Sequence, residues 1–182
     1  MAVPSILTMS TVVAAVVCIT TAWISDYFRH RYTFCILGIF VCTTGYAMLL
    51  NQDSIPGGAQ YAAVFLIVTG GYMTQPTTVI WVNNTMGGHY KRSLSAAIMV
   101  GFGNAGGIVA SNIFKLDDAP FFTTGYSTAL ALIWVCAVSC TVFLVGLMWE
   151  NRKRDRGDTD HRLEGPDADN LGDSHPHFRF TY

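Results

Sequence analysis

Charge is scarce in this 182-residue chain: Asp, Glu, Lys and Arg supply 13% of the residues while 51% are apolar, and the mean hydropathy is +0.36. That is about half the charge of an average soluble domain. The scarcity is also uneven. Ahead of Glu150 the only charged residues are Asp26, Arg29, Arg31, Asp53, Lys91, Arg92, Lys115, Asp117 and Asp118. The net charge of −1 therefore averages two unlike regions and carries no sign of a nucleic-acid or acidic partner. No His, Asp, Glu, Lys or Arg interrupts the long apolar runs, so they hold no proton relay, general base or activated nucleophile, and an enzyme is not expected. The five cysteines (Cys18, Cys35, Cys42, Cys136, Cys140) all lie inside apolar stretches without metal-ligand spacing. They read as packing residues, and neither a disulfide framework nor a metal or other cofactor is expected.

What the chain does have is long uncharged runs. Crossing about 30 Å of hydrocarbon takes roughly 20 helical residues, and five segments reach it: 4–25, 32–50, 61–82, 94–114 and 126–149. In lipid each must close its backbone hydrogen bonds internally, which predicts an all-α, polytopic transmembrane helix bundle over residues 1–149. The first run has no basic residue ahead of it, is too long for a signal sequence and precedes no small-x-small cleavage site, so it reads as a span. Arg29, Arg31, Lys91, Arg92, Arg152, Lys153, Arg154 and Arg156 fall on one side of such a bundle and Lys115 on the other. The positive-inside rule then puts the N-terminus outside and the C-terminus in the cytoplasm. Residues 150–182 are polar and aperiodic, with Pro166 and Pro176, and are expected to be a disordered tail. His161, His175 and His177 are too loosely spaced for a metal tract and read as solvated.

Three stretches can carry function. Asp26, Arg29 and Arg31, between the first two spans, read either as a conformational latch or as a solvated loop. The third span holds Gly70, Gly71, Gln75 and Pro76, a composition that loosens a helix and in transporters lines cavities. An amide at the depth of Gln75 needs a partner, so it bonds a neighbouring helix or faces water and substrate. In the fourth span Gly103 and Gly107 form a small-xxx-small face for close packing, with Asn104 between them. No strand precedes these glycines, so a dinucleotide loop is excluded. Asn83-Asn84-Thr85 matches a glycosylation acceptor but falls on the predicted cytoplasmic side.

The run Trp81, Asn83, Asn84, Gly87, Gly88, Lys91, Arg92, Ala96, Ala97, followed by Gly103-Asn104-Ala-Gly106-Gly107-Ile108 and Asp118-Ala119-Pro120, resembles the C-terminal part of the major facilitator superfamily. Within it the chain is similar to the fungal anion:cation symporters, the allantoate, nicotinate and pantothenate permease group. The loop with Asp26, Arg29 and Arg31 is similar to that superfamily's loop motif, with Ala22 where glycine often stands. The resemblance covers residues 4–149 and implies helices eight to twelve of a twelve-helix transporter, five spans of an incomplete C-terminal half.

It further implies a secondary transporter of a small organic anion or vitamin-like carboxylate, coupled to protons, in the plasma membrane. Its partners would be the lipid bilayer, the substrate, the proton and the N-terminal half of the transporter. Helices eight, ten and eleven would border the cavity. Gln75 and Asn104 are the first candidate substrate contacts, Thr8 and Thr11 further ones, and Asp26, Arg29 and Arg31 the cytoplasmic gate. The chain lacks the seventh helix and the whole first half, so it is expected to be a fragment that does not transport alone. The competing reading is a non-transporting membrane protein whose helices bind a partner.

Overall fold

Backbone groups that cannot reach water must pair within their own segment, and the long apolar runs do so as helices, with no strand among the described residues. A computed structural model describes residues 3–28, 30–114, 118, 121–157, 172–176 and 178–181, leaving the side chains of 3–10 and 28 outside the description. The helices are α1 (Val3–Phe28), α2 (Arg31–Leu50), α3 (Gly57–Thr85), α4 (His89–Ile113) and α5 (Thr123–Asp155). Each begins ahead of its predicted span, because residues at the membrane boundary can stay helical with their side chains in water. α2, α3, α4 and α5 are each long and apolar enough to cross a membrane. In α1 the described apolar stretch, Thr11–Tyr27, is shorter, so a fifth crossing stands on the sequence of residues 4–25.

Short connections force neighbouring helices to run antiparallel and bring the Asp26–Arg31 turn, the α3–α4 turn and the end of α5 to one end of the bundle. This is the basic end. α2 and α3 make the most extensive contact, α1 packs on α3, and α5 packs on α2. Glycine is what lets α2 and α3 approach so closely. A Cβ at Gly70 would stand 2.8 Å from the Cys42 backbone nitrogen, and one at Gly38 would stand 3.0 Å from the Gly70 carbonyl oxygen and collide with Thr74. The close-packing face expected at Gly103 and Gly107 is absent: a Cβ at either meets nothing within 4 Å. α4 has no buried residue and touches α3 and α5 only sparsely, so its glycines have no helix to admit.

α3 is one continuous helix through Pro76, not an interrupted one. Proline removes an N–H and strains the turn before it. Around it the Thr74, Thr77 and Thr78 hydroxyls donate to the carbonyls four residues back, at 2.9, 2.7 and 2.8 Å. These hydroxyls thereby satisfy themselves inside an apolar segment.

The core lies toward the basic end, where Cys35, Trp81, Cys140 and Leu147 are buried together. Trp81 is fully buried, with Phe143 edge-on at 5.0 Å and Tyr32 at 6.1 Å between ring centroids. Cys35, Cys42 and Cys140 are buried free thiols, in keeping with a packing role.

α5 runs on to Asp155, and residues 172–176 and 178–181 lie against the basic end of the bundle. Side chains of the helices satisfy the main chain of that segment, which sequence periodicity does not reveal. His161 and His177 lie outside the described residues.

Candidate functional site

α4 stands off from its neighbours and leaves a cavity of about 490 Å³ between itself, α3, α2 and α5. Gln75 of α3 and Asn104 of α4 both line it. With them are the polar side chains of Thr74, Thr78, Cys42 and Cys136, set among apolar residues that include Ile39, Val79, Met99 and Ile133. The threonine hydroxyls are already committed to helix carbonyls, and Thr78 also lies 3.4 Å from the Cys35 sulfur. Among the described residues neither Gln75 nor Asn104 has a hydrogen-bond partner. Two open amides in an otherwise apolar wall can each donate and accept. Such a cavity fits a small molecule with a few polar groups and an apolar body. Among the described residues no charged one lines it.

Not all the candidates converge. Thr11 belongs to α1 and is exposed, outside the cavity lining. The Thr8 side chain lies outside the described residues. The cavity takes walls from α2 and α5 where the expectation had the first helix, because α1 packs on α3 away from α4.

The second group sits at the basic end. Arg31 opens α2, where the positive end of the helix dipole disfavours a cation. Asp26 relieves it, its Oδ1 accepting from Arg31 Nη2 at 2.7 Å. With its amide oxygen turned toward the guanidinium, Asn84 accepts from both Arg31 Nη1 and Nη2 at 3.0 Å. Arg31 thus joins the ends of α1 and α3 through a side chain only 13% exposed. Asn83, next to Asn84 on α3, continues the network to α4, accepting from Ser95 Oγ at 2.9 Å. Arg29 lies outside the described residues. In the sequence Asn83 and Asn84 belong to the run that carries the resemblance and match a glycosylation pattern on the predicted cytoplasmic side, with no contact assigned to them. Two adjacent amides at the end of an apolar helix, facing an Arg and a Ser on neighbouring helices, were the signal that could have found them.

Residues 2–151 match the family described as SLC35F, Solute carrier family 35. Among curated proteins the chain is similar to an uncharacterized transporter of Schizosaccharomyces pombe, 32% identical over 154 residues, which is 82% of this chain and 30% of the relative. It is also similar to the major facilitator-type transporter hxnP of Emericella nidulans, 29% identical over 79% of this chain and 29% of that protein. The MFS-type transporter cnsO of Penicillium expansum is 26% identical over 92% of this chain and 34% of its own length. The chain thus spans about three-tenths of the length of the curated relatives it matches. The family and the relatives carry different family names and agree on a membrane transporter. No solved structure matches the chain.

Proposed function

We propose that this chain, which belongs to solute carrier family 35, supplies helices eight to twelve of a transporter of the major facilitator type, similar to the anion:cation symporters. The observation that carries the reading is the meeting of Gln75 and Asn104, from two helices, in one largely apolar cavity. The relatives named as major facilitator-type transporters support it, as does the agreement between basic-residue placement and the orientation of helix eight. The N-terminus is outside, the C-terminus is cytoplasmic, and the membrane is the plasma membrane. The transported molecule is a small organic anion or vitamin-like carboxylate, and its entry is coupled to protons.

In this mechanism the cavity amides hydrogen-bond the substrate while the apolar wall covers its body. A carboxylate takes its compensating charge from elsewhere in the transporter, because among the described residues no charged one lines the cavity. Asp26, Arg31 and Asn84 hold the cytoplasmic ends of α1, α2 and α3 together, and the gate works by making and breaking contacts at that end. α4 supports the same reading. Its apolar side chains, among them Phe102, Ile108 and Val109, stay exposed, as they would where further helices of the bundle complete the wall.

The test is a chimera in which this chain replaces the matching segment of the Schizosaccharomyces pombe relative. Uptake of radiolabelled nicotinate, pantothenate or allantoate, driven by a pH gradient and abolished by a protonophore, is the expected result. A chimera that reaches the membrane and takes up none of the three would refute the proposal. The purified chain alone, reconstituted in liposomes, is expected to show no proton-coupled uptake.

A further inference from the structure

We propose that the described C-terminal residues, 172–176 and 178–181, are an intramolecular strap seated in a peptide-binding socket, and that this strap fixes the start of α4 to the end of α5. The inference rests on the packing at the basic end and is independent of any transported substrate.

The socket reads main chain. Asn151, 6% exposed, donates from Nδ2 to the Phe180 carbonyl at 2.9 Å and accepts from the Phe180 N–H at 3.0 Å. This reciprocal pair mimics a step of a β-ladder, so it recognises an extended peptide. Arg154, also 6% exposed, donates from Nη1 to the Phe178 carbonyl at 2.9 Å and lies 4.5 Å from the centre of the Phe180 ring. Its other partner on α5 is Glu150 at 3.3 Å. A buried guanidinium with five donors needs more than one carboxylate, so the socket is built to be filled. On α3 the fully buried Trp81 donates from Nε1 to the Thr181 carbonyl at 3.1 Å.

The other end of the strap reaches α4. Asp173 pairs with Lys91 Nζ at 2.7 Å, and its backbone lies so close to Gly87 that any Cβ there would collide with it. α4 buries no residue, so few contacts besides this tie and the Ser95–Asn83 bond hold its first turns. The Lys91–Asp173 and Arg179–Asp155 pairs are exposed enough to open readily, while Asn151, Arg154 and Trp81 hold residues 178–181. A strap anchored firmly at 178–181 and weakly tied at Asp173 can release α4 without unfolding the bundle. α4 carries Asn104, so release also changes the width of the cavity.

Hydrogen exchange on the whole chain in lipid nanodiscs tests this. In the unaltered chain the amides of 178–181 should exchange at least tenfold more slowly than in a free peptide of the same sequence. The double variant Asn151→Ala, Arg154→Ala should lose that protection, and the amides of 91–99 should exchange at least threefold faster while those of α2 do not change. A chain ending at Gly157, which leaves Asn151 and Arg154 in place, should give the same α4 acceleration, separating loss of the strap from damage to α5. Unprotected amides at 178–181 in the unaltered chain, or α4 exchange indifferent to both variants, would overturn the proposal.

Discussion

At Gly70 two helices meet so closely that even a methyl group must displace backbone, since a Cβ there faces the Gly38 carbonyl and the Cys42 N–H. Overpacking of this kind costs about 1–3 kcal/mol. Gly70→Ala should destabilise the chain by that amount in reversible unfolding in micelles, whereas Gly103→Ala, which meets open space, should stay within about 0.5 kcal/mol. Equal effects would mean that α4 packs as tightly as α3. The glycines of the fourth span look like a packing motif in sequence, yet spacing alone cannot say which helix has a neighbour. At the basic end the two partners of Arg31 should differ in weight. Asp26 is 66% exposed, so Asp26→Asn should cost less than about 1 kcal/mol. Asn84 is exposed too, but it accepts from both nitrogens of a guanidinium whose side chain is only 13% exposed, so Asn84→Leu should cost more, roughly 1–3 kcal/mol. The same unfolding measurement ranks them, and the reverse order would dissolve the network as described.

At the scale of elements, the helices were legible because an apolar run in lipid has one open-chain solution, and α2, α3, α4 and α5 lie where the runs predict. Gln75 and Asn104 were legible for a related reason. An amide in such a run is conspicuous, although sequence could not show that the two share a cavity. Asn84, Asn151 and Arg154 were not legible, because they act on partners distant in sequence or on main chain. Pro76 argued for an interrupted third helix, and the threonines on either side argue for the continuous one that is found. Replacing Thr74, Thr77 and Thr78 with Val together should therefore raise amide exchange around Pro76 at least severalfold. Unchanged exchange would show that the hydroxyls do not support the helix there.

At the scale of the whole molecule the proposed orientation has its own test. An epitope appended after Tyr182 should be reached by antibody only in permeabilised cells, and staining of intact cells would invert the topology. The proposed transport depends above all on the cavity between α3 and α4. The most direct measurement is carboxylate uptake by the chimera carrying Gln75→Leu or Asn104→Leu, with Ser139→Ala, an exposed hydroxyl bonded only to its own helix, as control. Each cavity substitution should lower uptake at least tenfold at unchanged membrane abundance, and the control should leave it unaltered. Uptake that survives both leucine substitutions would contradict the assignment of this cavity as the substrate site.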